Sequence, residues 1–500
     1  MATRELYGRA VIYYDTDIVD SSNVAEVLEA SYEKFGDVQE EVEYLYDYFK
    51  GKQEILNRTK VYNTEILNKI VENRAAEIVN FKTGYLLSAP IQYIDNTSAD
   101  DSVDSGLASI TKWCMQENKD ASDLEVARWQ SICGTAYRMI TQNTEENTEA
   151  NPAEDASPFQ IDTLDPRNTF VVYSSRLGHK PLMGVNFVDL GDDKLLFYVY
   201  TPTELFVFNE KYENATDETN PSGPHAYGAI PIIEYPLNES RIGDFEQVIS
   251  LLDAINNCES DRADATEGFV QSILCLENIG IEPQGQETQS QAEANFMKQL
   301  KEIGGMFVPK DGKVYYVSPP ALNQEQTQTQ VDALYDAVLT ICGMPNRNGG
   351  SSTSDTGAAV ILRDGWSAAE SRARSTEIYF RKSERKFLDI MINICNNIGG
   401  LNILPSSVDI RFPRRNYTND SANVSNLITL LANDWVRPEF AYEHCNMTPD
   451  PHREYLLAKK WHEEQMQAEA ESETSAGAEA RTGAKPIDNN GQTFVSSYMR

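Results

Sequence analysis

The order of apolar and polar positions divides the chain into a helical opening, a strand-rich middle and a helical second half. Within residues 1–50, Val24, Val27, Leu28 and Tyr32 fall on one stripe of an acidic helix. Leu67, Ile70, Val71, Ala75, Ile78 and Val79 repeat at helical spacing, with Lys69, Glu72, Asn73 and Glu77 on other faces. This predicts a second helix, closed at Gly84 by a left-handed cap. Pro90 and an extended 91–94 follow, and then one amphipathic helix over 104–131. Residues 141–158 are acidic and polar and read as a flexible insertion. Beyond them the period becomes two. Strands are predicted over 169–174, 182–189, 194–201 and 204–209, with Gly191-Asp192-Asp193 as a hairpin turn. A second polar loop covers 214–224. The first 240 residues are therefore an α+β unit.

From Gly243 the helical period returns. Phe245, Val248, Ile249, Leu252 and Ile255 form a stripe, after which the helix turns acidic at Glu259, Asp261, Asp264 and Glu267. A small α/β module interrupts it over 270–320. It comprises a strand at 272–277, a helix at 292–303 and a hairpin of 305–309 with 313–318, turning at Asp311-Gly312. A returning helix is polar over 323–330 and then apolar at Val331, Leu334, Tyr335, Val338 and Cys342. The two helices mirror each other, so antiparallel pairing sets polar half beside polar half and apolar half beside apolar half. One protomer gains little from a long wet pair, whereas a ring whose helices line a tunnel needs it. A Gly/Ser-rich loop over 343–357 leads into a long helix over 358–397, a strand over 408–412 and helices near 421–433, 437–445 and 451–470. The last 30 residues have the composition of a disordered tail. The fold class is mixed α+β, predominantly helical.

Composition narrows the chemistry. Five hundred residues suffice for about three domains of ~150 residues. No apolar run reaches the ~18 residues of a membrane span, and Met1-Ala2-Thr3-Arg4-Glu5 carries no secretion signal. The seven cysteines are scattered without Cys-x-x-Cys spacing, which fits reduced thiols in a cytosolic setting and no zinc site. Forty-three basic and 77 acidic residues give a net charge of −34. A protein that grips nucleic acid offers clustered cations instead. The charge fits plain solubility, or nucleic acid that slides past without binding.

Motifs for catalysis are absent. Residues 349–357 lack the Gly-Lys-Ser/Thr ending of a phosphate loop, and no Gly-x-Ser-x-Gly elbow or His-Glu-x-x-His helix occurs. His444 and His452 read as exposed helix-end residues, and pairs such as Asp100-Asp101 and Asp192-Asp193 as chance adjacency among many acids. No catalytic residue, cofactor or metal site is expected. The basic stretch Arg372, Arg374, Arg381, Lys382, Arg385 and Lys386 leaves three readings open. They are a solvated face with local ion pairs, a contact with the acidic flank of a neighbouring subunit, and a contact with DNA phosphates.

Residues 68–93, Asn68-Lys69-Ile70-Val71-Glu72-Asn73-Arg74 through Ala89-Pro90-Ile91-Gln92-Tyr93, resemble the opening signature of phage portal proteins of the SPP1-like family. Residues 164–170 and 227–235 look like that family's wing strands. Gly343-Met344-Pro345, the Gly/Ser loop and Thr356-Gly357-Ala358-Ala359 look like its tunnel loop and the start of its long wing helix. The similarity spans about 40–465. It implies a portal architecture with a wing at 1–240 and 358–420, stem helices at 243–270 and 321–342, a clip at 271–320 and a crown at 421–470. It implies a dodecameric ring at a capsid vertex of the virion, assembled in the host cytoplasm, with no membrane. Double-stranded DNA would pass through it in packaging and ejection. Its protein partners would be the terminase large subunit, a head-completion adaptor and a major capsid or scaffolding protein.

Under that resemblance Glu259, Asp261, Asp264 and Glu267 would line the stem and repel phosphates. Asn348, Gly349, Gly350, Ser351, Ser352, Thr353 and Ser354 would project into the bore. Lys310, Asp311 and Lys313 would dock partners at the clip tip. The acidic insertion and the acidic tail depart from the family pattern. The rivals are a phage DNA-processing enzyme, either a metal nuclease or an ATPase, and a scaffold or capsid subunit without a channel.

Overall fold

The computed structural model describes residues 6–61, 64–95, 101–143, 156–192, 194–270, 273–283, 285, 288–303, 308, 310–317, 324–346, 365–398, 400–413, 420–445 and 454–467. The chain divides into two compact units, Met1–Arg414 and Arg415–Arg500. In the first, β1 (Ile12–Tyr14) runs parallel to β5 (Thr169–Ser174). An antiparallel meander continues through β6 (Pro181–Asp189), β7 (Leu195–Tyr200), β8 (Glu204–Asn209) and the short β9 (Gly223–Pro224), which makes a six-stranded sheet. The predicted hairpin between β6 and β7 turns where Gly191 and Asp192 both take positive φ. Helix α1 (Val24–Phe49) lays Val27, Leu28, Phe35, Val38 and Val42 on this sheet. Phe35 stacks on Phe170 at 4.7 Å. Each such fully buried apolar side chain contributes roughly 1.5–3 kcal/mol.

A second core lies behind it. Helices α2 (Arg74–Leu86), α3 (Asp101–Gln116) and α4 (Lys119–Cys133) precede β3 (Thr135–Gln142) and β4 (Phe159–Leu164), which join β10 (Ile232–Pro236) in the order β10-β3-β4. Helix α8 (Trp366–Asn397) buries Phe380, Phe387, Leu388 and Met391 in a cluster with Ile110, Val126, Ile140 and Tyr235. Strand β13 (Val408–Arg411) pairs with β2 (Gln92–Asp95).

Helix α5 (Ile249–Val270), entered through a 3-10 turn at Glu246–Val248, and helix α7 (Gln324–Cys342) enclose a small module. It consists of β11 (Ile273–Glu277), α6 (Gln289–Ile303) and β12 (Lys313–Val317), with β11 antiparallel to β12. In the second unit α9 (Asp420–Leu431) packs on α10 (Pro438–Cys445), and a helix spans 454–467.

Several expectations shift. The helix predicted from Leu67 begins at Arg74, because Asn73 caps it by accepting from the Ala76 N–H at 3.3 Å. The single helix over 104–131 is two, broken at Asn118, which adopts a left-handed backbone with φ 51°. No strand is expected over 135–142, where β3 follows directly on the left-handed helix cap at Gly134. The first arm of the 305–309 hairpin, the start of the long helix at 358–364 and most of the acidic insertion (144–155) lie outside the described residues, as does the tail from 468.

Candidate functional site

The polar halves of α5 and α7 do meet. Arg262 on α5 donates to Gln328 on α7 at 2.9 Å and to Gln324 at 3.2 Å, while Leu252 and Ile255 share a core with Val338 and Leu339. The antiparallel pair is therefore dry at one end and wet at the other.

A third element covers one flank of α5. Residues 68–72 are extended, and alternate backbone N–H groups donate to α5 side chains. Asn68 reaches Asp264 at 2.7 Å, Ile70 reaches Ser260 at 3.0 Å and Glu72 reaches Asn256 at 2.8 Å. Two strand residues rise about 6.6 Å and four helix residues about 6 Å, so an antiparallel strap and a helix stay in register over this length. Ser260 and Asn256 are fully buried, and Asn256 is further held by Gln53 at 2.5 Å. The strap is the first part of the segment that resembles the portal signature.

This strap sets the surroundings of the four acids singled out on α5. Asp264 is buried, with its side chain 7% exposed, and takes bonds from Lys60 and from the Asn68 side chain. Burial alone would raise its carboxyl, but Lys60 and the Asn68 donors hold it below the ordinary range. It ties the strap and Lys60 to α5. Asp261 pairs with Arg58 yet keeps 57% of its side chain exposed. Glu267 is exposed and accepts from Asn68 at 3.1 Å. Glu259 pairs with Arg262 at 2.8 Å. Sequence reasoning missed Arg58, Lys60 and Asn68, whose α5 partners lie about two hundred residues further along the chain.

A cleft of about 380 Å³ opens where the strap, α5 and α7 converge, lined in part by Glu72, Arg74, Glu77, Asp332 and Asn346. Arg74 lies 4.1 Å over the Tyr335 ring and bridges Glu72 and Glu77, and Tyr335 donates to Glu77 at 2.9 Å. One guanidinium against two carboxylates leaves this group with a net negative charge, and each of its members is held by a partner. Among the described residues no group of three or more acidic, histidine or cysteine side chains could hold a metal ion, and no helix is long and apolar enough to cross a membrane.

The remaining sequence candidates are separate from this cleft in kind. Lys310 and Asp311 are exposed in the turn before β12, and exposed Lys313 stands 3.9 Å from Glu277 on the paired strand. Asn348, Gly349, Gly350, Ser351, Ser352, Thr353 and Ser354 lie outside the described residues. In the basic stretch, Arg374 and Arg381 pair with Glu370 and Glu377 one turn away, and Arg385 donates to the Val408 carbonyl at 2.6 Å.

A family model described as phage portal protein, SPP1 Gp6-like, matches residues 38–478. The portal protein of Bacillus phage SPP1 is 21% identical over 403 residues, spanning 75% of this chain and 72% of that protein. A chain in the neck of an empty gene transfer agent particle aligns with a TM-score of 0.44 at 9% identity, covering 75% of this chain and 90% of that one. A chain of the native gene transfer agent virion gives 0.42 at 9% identity, with the same coverage.

Proposed function

This chain belongs to the SPP1 Gp6-like family of phage portal proteins, and from that membership we propose that its copies close into a dodecameric ring around an axial channel at a capsid vertex. Double-stranded DNA passes through this channel in packaging and in ejection. The observation that carries the reading is the α5/α7 pair, in which the polar start of α7 stands exposed while the strap covers one flank of the polar half of α5. Placed side by side around an axis, such pairs wall a water-filled tunnel.

In this reading α5 and α7 are the stem and the β11-α6-β12 module is the clip. The elements of 1–240 with α8 and β13 are the wing, and the helices after 420 are the crown. Asp261 and Glu267 are the stem acids that repel phosphates, since Asp264 is spent on the strap. The exposed tip at Lys310, Asp311 and Lys313 docks the terminase large subunit and later the head-completion adaptor. The outer surface meets the capsid or scaffolding protein. A portal is a structural part of the virion and not an enzyme.

Negative-stain imaging with a mass measurement tests the ring directly; a monomer at every concentration tried would sink it. Asp261→Asn with Glu267→Gln is expected to strengthen DNA retention by the ring at low salt, and the gain to fade as salt rises. Unchanged retention places those carboxylates away from the bore.

A further inference from the structure

Helix α8 buries one face in the second core and leaves the opposite face uncovered. Arg374, Ile378, Lys382 and Lys386 follow one another at four-residue spacing along that face, a ridge about 18 Å long at 1.5 Å per residue. Ile378 is 66% exposed at its centre, and the Arg374 side chain is 72% exposed. Among the described residues neither Lys382 nor Lys386 closes an ion pair within 4 Å, although Glu234 acts on Lys386 from farther off. The ridge is therefore a basic strip with one apolar side chain at its centre, and its charge is what a partner would read.

The complementary surface lies on the same unit. Helix α1 packs on the first core and turns Glu29, Glu33, Asp37 and Glu40 outward on one face, a ridge about 16 Å long. The two helices back onto different cores, α1 with the six-stranded sheet and α8 with β10-β3-β4. Opposite charges on two helix faces thus sit on two different parts of one protomer.

We propose that the α8 ridge docks on the α1 ridge of a second copy of this chain, and that this contact is the head-to-tail joint of the ring. Two unlike surfaces that fit each other make a heterologous interface, and such an interface repeats until it closes. The inference rests on the ring reading and deepens it by naming the joint. DNA is the poorer occupant of the α8 face. Glu370 and Glu377 already neutralise Arg374 and Arg381 and set carboxylates beside the face that phosphates would approach.

Charge reversal tests the joint on the full chain. Lys382→Glu with Lys386→Glu places like charges across the interface and is expected to raise the concentration for half-assembly about tenfold or more. Glu33→Lys with Asp37→Lys is expected to do the same, and the four substitutions together to restore assembly. All four sites are exposed, so melting temperatures stay near that of the parent. A carbodiimide treatment of the unmodified ring, which joins lysine amines to carboxylates in contact, supplies a check that needs no variant. Peptide mapping is expected to find Lys382 or Lys386 linked to an α1 acid of another copy. Rings that survive both reversals, a fourfold variant that stays dispersed, or α8 lysines that lose DNA retention without losing assembly would each overturn the proposal. A parent chain that never forms rings would defeat the ring reading itself, which separates the two failures.

Discussion

Glu384 accepts from four donors while its side chain has no exposed surface. Lys119 lies at 2.7 Å, Arg138 at 3.2 Å, the Tyr93 hydroxyl at 2.6 Å and the Tyr235 hydroxyl at 2.8 Å. Asp123 completes the charge balance, at 2.8 Å from Lys119 and 2.5 Å from Arg138. Burial by itself would raise the Glu384 carboxyl; Lys119 and Arg138 outweigh it and lower the group from 4.5 to about 2. A carboxyl depressed in the folded state adds stability above its unfolded pKa, and that contribution fades as pH falls from about 4.5 toward about 2. Glu384→Gln is therefore expected to destabilise the first unit at pH 7 by about 3 kcal/mol, since it leaves two buried cations against one anion. The loss should shrink on acidification through that window. Chemical denaturation of both proteins at pH 7 and pH 3 checks it, and a pH-independent difference would contradict the assignment. None of this was legible beforehand: Arg138 and Glu384 stand 246 residues apart, and each reads alone as a surface charge.

Element by element, the sequence carried most where one face is wet. Strand β7 and helix α7 follow from alternation and a helical stripe, because solvent on one side imposes a period; in the module between α5 and α7, the strand expected to form a hairpin with 305–309 pairs with β11. It carried least where polar side chains replace backbone partners. Residues 67–73 have a helix-like stripe, yet their N–H groups are satisfied by Asp264, Ser260 and Asn256. Those partners belong to a helix almost two hundred residues later, and no local pattern announces them. The strap makes a measurable prediction. Hydrogen exchange is expected to be slow at the Asn68, Ile70 and Glu72 amides, although this stretch is not helical. Ser260→Ala should speed exchange at Ile70 about fivefold, the equivalent of one net hydrogen bond of about 1 kcal/mol. Equal exchange in parent and variant would show that water, rather than Ser260, satisfies that amide.

For the whole molecule, the ring proposal makes the connection between α7 and α8 the place where a change would separate assembly from passage of DNA. Its two ends are anchored together. Met344 is buried in the first core, and Asn346 donates to Asp336 at 3.0 Å. Gly365 opens α8 with φ 84°, and a Cβ built on it would stand 3.7 Å from the Pro345 Cα. Trp366 then packs near Phe81 and Tyr85. Because the chain leaves and returns at one place, shortening what lies between does not pull α7 from α8, and the closure entropy changes by well under about 1 kcal/mol. Deleting 349–354 is accordingly expected to leave rings and melting temperature unchanged. If those residues reach the bore, as the resemblance to the family's tunnel loop implies, the same deletion lowers the DNA packaged per particle. Particles assembled with the shortened chain, counted as full or empty by density sedimentation, decide it. Normal filling would remove the loop from the channel, and loss of rings would make it part of the subunit joint.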